Sequence, residues 1–241
     1  MSFSLLRWVG SKAWAVERLG PVILDHLEHS GGSYFEPFLG GGSVGLHVGS
    51  RYPKRIVLSD VVEPLMTFYR ALKDHPADLA VTLAAIGTEY GLDEKAYYAV
   101  RDERPDDPLF QAAQFLYLNA LGFNGVYRQN ASGEYNVPAG SRAKNGTAKL
   151  PERKAIEIAS KSLELADLRC GDFETVIDEA GERDFVYVDP PYYDTFANYS
   201  KGGLGVPDQE RLAMALYRAH ERGAVFIAHN SLDQKQGPND V

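Results

Sequence analysis

Tyr34-Phe35-Glu36-Pro37-Phe38-Leu39-Gly40-Gly41-Gly42-Ser43-Val44-Gly45-Leu46 is the stretch on which the fold turns. A short apolar run enters three glycines and leaves into small residues that can start a helix, the layout of a nucleotide-binding strand-turn-helix unit. Without side chains, the glycine backbone can approach a ligand closely. Glu36 and Pro37 depart from the dinucleotide fingerprint in an informative way, because a carboxylate there repels a pyrophosphate and suits a positively charged ligand.

S-adenosylmethionine carries a sulfonium and an ammonium, and Glu36 lies near where its methionine end is expected. Outward from the glycines, Arg55-Ile56-Val57-Leu58-Ser59-Asp60 reads as a second strand closed by an acid, the place where a Rossmann-like fold binds ribose hydroxyls. Leu168-Arg169-Cys170-Gly171-Asp172-Phe173 resumes the strand and turn pattern. Asp172 and Phe173 suit an adenine ring, the acid through its amino group and the phenyl ring by stacking. The apolar run Phe185-Val186-Tyr187-Val188 then ends in Asp189-Pro190-Pro191-Tyr192. Two prolines stiffen that turn and remove backbone donors, leaving carbonyls to accept. A Pro-rich turn that merely closes a strand shares this composition.

At 241 residues and 44% hydrophobic, the chain has ample material for one large α/β domain with an insertion. A single cysteine, Cys170, excludes an internal disulfide framework and a Cys-based zinc cluster. The six histidines lack metal-ligand spacing, so no metal is expected. No stretch approaches the roughly 20 apolar residues of a membrane span. A soluble, cytoplasmic protein is therefore expected. The net charge of −8 opposes a nucleic-acid partner taken as a whole, but charge is unevenly spread. Residues 128–161 carry seven basic side chains against three acidic ones, the excess expected of a phosphate-facing segment or of a solvated helix face.

Alternation of strand and helix stops after Asp60. Residues 64–86, 94–103 and 108–121 have helical spacing with no strand between them, which predicts an inserted helical subdomain. It delivers the chain to residues 122–140, where β-prone pieces alternate with Asn and Gly turns and predict a hairpin. Asn130, Asn136 and Arg128 can read base edges, and aromatic side chains can wedge between bases. A helix is expected at 152–165, an amphipathic one at 207–222 and a last strand at 224–230. At the start of the chain, Ser11 is placed to cap a helix from about residue 13, with Lys12 in its first turn. The fold class expected is an α/β Rossmann-like sheet with an inserted helical subdomain and β-hairpin. Its boundaries fall at 1–62 and 152–241 for the catalytic parts and 63–151 for the insertion.

Together these stretches resemble the Dam-type, D12 class of DNA adenine-N6 methyltransferases. Arg7-Trp8-Val9-Gly10-Ser11-Lys12 looks like the family's N-terminal segment, Phe35 to Gly42 like its glycine loop and Asp189 to Tyr192 like its catalytic motif. The stretch from Asn119 through Gly140 is similar to its recognition hairpin. The resemblance implies a cofactor site for S-adenosylmethionine made of Trp8, Lys12, Glu36, Pro37, Phe38, Gly40, Gly42, Ser43, Asp60, Asp172, Phe173 and Asp189. It implies that Asp189 and the Pro190 carbonyl accept the two N–H bonds of an adenine amino group flipped out of double-stranded DNA, with Tyr192 stacked on the base. It further implies that Phe123 enters the base stack beside Asn124, that Arg128, Val126 and Pro138 read the outer part of a GATC half-site, and that Arg7 reads its first guanine.

The family continues past the 227–230 strand with a helix and a closing β-hairpin, whereas this sequence stops at Val241, so an exposed sheet edge is expected there. Two other functions fit the same residues: a truncated, inactive DNA-binding relative, or a methyltransferase acting on RNA or a protein glutamine amide.

Overall fold

A computed structural model describes residues 4–191 and 205–229. Strands β1 (Tyr34–Glu36), β2 (Ile56–Asp60), β3 (Ala166–Cys170), β4 (Phe185–Val188) and β5 (Val225–Ala228) form one sheet in the order β3-β2-β1-β4-β5. Every pair in it is parallel. The order reverses between β1 and β4. At such a switch point a cleft opens outside the carboxyl ends of the strands, and ligands of open α/β sheets bind there.

Ten α-helices accompany the sheet among the described residues: α1 (Val16–Ser30), α2 (Ser43–Gly49), α3 (Glu63–Asp74), α4 (Pro76–Tyr90), α5 (Glu94–Asp102), α6 (Pro108–Leu121), α7 (Ser141–Lys144), α8 (Arg153–Lys161), α9 (Phe173–Ile177) and α10 (Val206–Glu221). β1, β2 and β4 are buried on both faces because both are covered. Tyr34, Ile56, Leu58, Phe185 and Tyr187 belong to the larger core, with side chains from α1 to α8. Phe35, Val57, Val186 and Val188 face the other way, onto α9 and α10. The helices between β2 and β3 thus share a core with the sheet: Phe68, Leu72 and Leu116 are fully buried in it. Truncating any one of them to Ala should cost about 2–5 kcal/mol.

Three local expectations need correction. The helical spacing over 64–86 divides into α3 and α4 at His75-Pro76, because a proline lacks the N–H and crowds the carbonyl four residues back, yet fits the first position of a new helix. The helix expected at 152–165 ends at Lys161, and the chain turns through 162–165 into β3. Ser11 does not cap α1, which begins at Val16 with no side-chain cap. The Ser11 hydroxyl instead lies 2.8 Å from that of Ser43, and Lys12 sits in the turn ahead of the helix, its carbonyl accepting from Ala15 and Val16.

Among the described residues β5 pairs with β4 alone, and Val225 and Phe226 on it are 43% and 38% exposed. No helix among those residues is long and apolar enough to cross a membrane.

Candidate active site

Three acids meet at the carboxyl edge of the sheet. β1 ends in Glu36, β2 ends in Asp60, and Asp189 follows β4, while β1 is hydrogen-bonded to both neighbours. Strand alternation puts Glu36 on the side of Tyr34, Asp60 on the side of Leu58 and Asp189 on the side of Tyr187. That is the face covered by the larger helical layer.

The Lys12 ammonium donates to both oxygens of Asp189, at 2.6 and 2.7 Å, and to the Gly10 carbonyl at 2.9 Å. Lys12 is 7% exposed and Asp189 17%, so water screens this pair weakly. Burial raises the Asp189 carboxyl above its ordinary range, and the Lys12 bonds and charge pull against it. Each carboxylate oxygen has two lone pairs, so the bidentate ammonium leaves acceptor capacity on both. Pro190 and Pro191 follow, half-buried. Tyr192 lies outside the described residues.

Glu36 is more deeply placed, at 3% exposure. Burial pushes its carboxyl up to about 8, opposed by the Tyr34 hydroxyl that donates to Oε2 at 2.8 Å and assisted by the charges of Asp189 and Asp60. Tyr34 and Glu36 are two apart on one strand, which is why they meet.

The glycine loop is braced from three sides. Asp60 accepts from the Gly40 N–H at 2.9 Å and from the Val62 N–H at 3.0 Å, Tyr69 donates to the Gly40 carbonyl at 2.9 Å, and Ser4 donates to the Gly41 carbonyl at 2.6 Å. Trp8 lies on the loop so closely that a Cβ on Gly40 or Gly41 would come within 2.8 Å of it. Gly42, at φ 68°, turns the chain into α2 through a left-handed conformation that favours glycine. Pro37 follows Glu36 out of the strand, and Ser43 opens α2.

Phe38 and Phe173 stack with ring centroids 5.3 Å apart, and the Arg211 guanidinium lies 5.0 Å over Phe173. Asp172 caps α9, its Oδ1 accepting from the Glu174 N–H at 2.9 Å and from Arg211 at 2.8 Å. The acid expected to meet an adenine amino group is thus already engaged through one oxygen.

The hairpin at 122–140 is present but loosely made, with isolated antiparallel bridges at Gly122–Ala139 and Gln129–Tyr135. Phe123 is 49% exposed at its base, beside Asn124 at φ 51°, and Pro138 is exposed opposite. Val126 is half-buried. Arg128 donates to the side chain and backbone carbonyl of Asn136 at 2.8 and 3.0 Å. Asn130 closes the tip, its Oδ1 accepting from the Ser132 and Glu134 N–H groups at 3.0 and 2.9 Å. Its side chain therefore shapes the turn.

Sequence reasoning missed the residues that tie the hairpin to the edge. Asn119 clamps the Arg7 backbone, accepting from its N–H at 2.9 Å and donating to its carbonyl at 2.7 Å. Trp8 stacks on Tyr127 with centroids 6.1 Å apart. Asn119 is the one signal available in advance, a buried amide following the buried apolar run Phe115-Leu116-Tyr117-Leu118. No group of three or more His, Cys, Asp or Glu among the described residues is arranged to hold a metal ion.

Known proteins are similar in sequence across most of the chain. The type II methyltransferase M.MjaIII of Methanocaldococcus jannaschii is 34% identical over 94% of this chain and 83% of its own length. The DNA adenine methylase of Vibrio cholerae is 31% identical over 94% of this chain and 80% of its own. The DNA N-6-adenine-methyltransferase of Escherichia phage P1 is 35% identical over 95% of this chain, which spans 30% of that longer protein. The family described as D12 class N6 adenine-specific DNA methyltransferase matches residues 8–238, and the chain belongs to that family of adenine-specific DNA methyltransferases.

Proposed function

We propose that the protein transfers the methyl group of S-adenosylmethionine to N6 of an adenine flipped from double-stranded DNA, within the sequence GATC. The observation that carries this reading is the placement of Asp189, held by Lys12 after β4, beside Glu36 at the end of the adjacent strand. One carboxylate is placed to accept from a substrate amine, and its neighbour suits a cation.

The residues present fit the cofactor. Glu36 offers a buried carboxyl that a docking cation would draw into its anionic form, the glycine loop offers backbone that a Cβ would obstruct, and the Phe38–Phe173 pair offers aromatic surface beside Asp172. When bound, S-adenosylmethionine supplies an activated methyl group. Asp60, at the end of β2, stands where ribose hydroxyls are expected.

The rest of the chemistry falls to this chain. An adenine amino nitrogen is a poor nucleophile because its lone pair is delocalised into the ring. Hydrogen bonds from that amine to Asp189 and to the Pro190 carbonyl would favour a tetrahedral nitrogen and aim its lone pair. Lys12 favours the ionised form of Asp189 against the effect of burial and orients it. Positioning of this kind can supply several kcal/mol of barrier lowering, about 7 or more in favourable cases. After transfer the nitrogen carries a positive charge, and the Asp189 carboxylate can take the proton it must lose.

The hairpin, with Arg7, makes up the DNA face in this reading. Arg7 and Arg128 present guanidinium forks suited to guanine edges, and Phe123 is an exposed wedge at the hairpin base. The 63–151 segment would serve as the target-recognition unit. Incubating the protein with tritiated S-adenosylmethionine and matched duplexes bearing GATC or each single-base variant tests the site preference. Label should enter the GATC duplex fastest, and a faster variant would refute GATC while leaving methyl transfer intact.

A further inference from the structure

Resting on the cofactor reading above, we infer that Tyr34 and Glu36 work as a proton-exchanging pair. The Glu36 carboxyl carries a proton in the cofactor-free protein and releases it to solvent as the positive end of S-adenosylmethionine docks, and Tyr34 holds the resulting carboxylate.

The geometry requires some such exchange. Glu36, Asp60 and Asp189 end or follow three adjacent strands, and the ammonium of Lys12 is committed to both oxygens of Asp189 and to Gly10. Glu36 is 3% exposed and Tyr34 is fully buried. Among the described residues, hydroxyls and further acids act on the Glu36 carboxyl. Tyr34 comes from β1, Asp60 from β2, Tyr69 from α3 and Asp189 from the end of β4, while α2 contributes only the Gly45 backbone. Tyr187 adds its influence through Tyr34, and His229 acts on Asp189. Burial in this company raises the carboxyl to about 8 and lifts the Tyr34 hydroxyl well above its ordinary range, so at neutral pH Glu36 and Tyr34 each hold a proton in the cofactor-free protein. A cation arriving at the edge reverses the balance. The Glu36 O–H bond breaks, the proton passes to buffer, and the carboxylate keeps the Tyr34 hydrogen bond while it faces the ligand's charge. Tyr34 is a positioning residue in this scheme, acting through Glu36.

Titration of the full protein with S-adenosylmethionine, without DNA, tests this by calorimetry at pH 7 in buffers of different ionisation enthalpy. A carboxyl at about 8 is mostly protonated at that pH, so close to one proton, about 0.9, should appear in buffer per ligand bound. The association constant should rise about tenfold between pH 6 and pH 7 and level off above pH 8. Glu36→Gln, which keeps a partner for the Tyr34 hydroxyl, should bind more weakly, release no proton and serve as the baseline for the ligand's own ammonium. Tyr34→Phe should still release a proton, but the midpoint of its affinity profile should move to higher pH, a shift that a merely structural tyrosine would not produce. Tight binding with no proton release, release unchanged in Glu36→Gln, or an unmoved midpoint in Tyr34→Phe would each overturn the proposal. Absence of any binding would instead sink the cofactor reading on which it rests.

Discussion

The carboxyl edge of the sheet and the 122–140 hairpin are built in opposite ways. At the edge, Glu36 is buried and Asp60 and Asp189 half-buried, Lys12 makes two short bonds to Asp189, and the glycine loop is held by Asp60, Tyr69, Ser4 and Trp8. In the hairpin, pairing is reduced to isolated bridges, and Phe123, Asn124 and Pro138 lie open to solvent. A site that orients a weak nucleophile gains from rigidity, because its hydrogen bonds need no rearrangement at the moment of reaction. A surface that must settle onto a duplex gains from side chains that can change partners, as Arg128 could exchange Asn136 for a base edge. In the proposed reading, the difference suits one region to chemistry and the other to reading. Substitutions at the edge should change rate and proton balance, whereas those in the hairpin should change which sequence is bound.

The most disruptive test acts on the edge's buried charge. Glu36 has a folded carboxyl raised to about 8 from an ordinary 4.5, so the stability it contributes is full below the ordinary range and is lost as pH rises through about 8. Glu36→Gln removes that loss. Cofactor-free unfolding free energies should show the variant gaining on the parent as pH rises from 5 to 8, with a plateau above that on the order of 5 kcal/mol. A pH-independent gap would mean the carboxyl is not shifted. Lys12→Met should cost about 3 kcal/mol of stability by leaving Asp189 unpaired, and it should move the acidic limb of the rate profile upward because the carboxylate then ionises less readily. Sequence preference should be unchanged in that variant, and a relaxed preference would blur the division between the two regions.

Hairpin changes are smaller and of a different kind. Arg128→Ala should lose about 2 kcal/mol of discrimination at one base pair while single-turnover rate on saturating DNA stays near the parent's. Binding to a panel of single-base variants reads this directly. Asn130→Ala should cost about 1 kcal/mol of hairpin stability and weaken binding to all sequences alike, since its side chain closes the turn. A base-specific loss would restore it to the role of a reader.

The edge was readable from sequence because its signals are strand-terminal. Each acid or proline pair follows an apolar run, so the sequence marks Glu36, Asp60 and Asp189 each at the end of a strand, and the strand order then brings them to one edge. The resemblance carried the hairpin's location. What could not be read were contacts between segments far apart in the chain. Asn119 holds Arg7 across 112 positions, and Lys12 reaches Asp189 across 177, so no local pattern announces either. Ser11 shows the cost of local reasoning: a good helix cap by type, it bonds Ser43 because Lys12 draws its turn toward Asp189. Tyr34 passed as an apolar strand residue, although period-two alternation already aligned it with Glu36.

The central claim, that Asp189 positions an adenine amino group for methyl transfer, has one direct test. DNA lacking prior methylation is incubated with S-adenosylmethionine and the parent protein or Asp189→Ala, then digested to nucleosides and separated, with duplex binding measured in parallel. N6-methyladenine should form with the parent and fall below detection with the variant, while the variant still binds DNA. Undiminished N6-methyladenine from Asp189→Ala, or a different methylated nucleoside from the parent, would contradict the account.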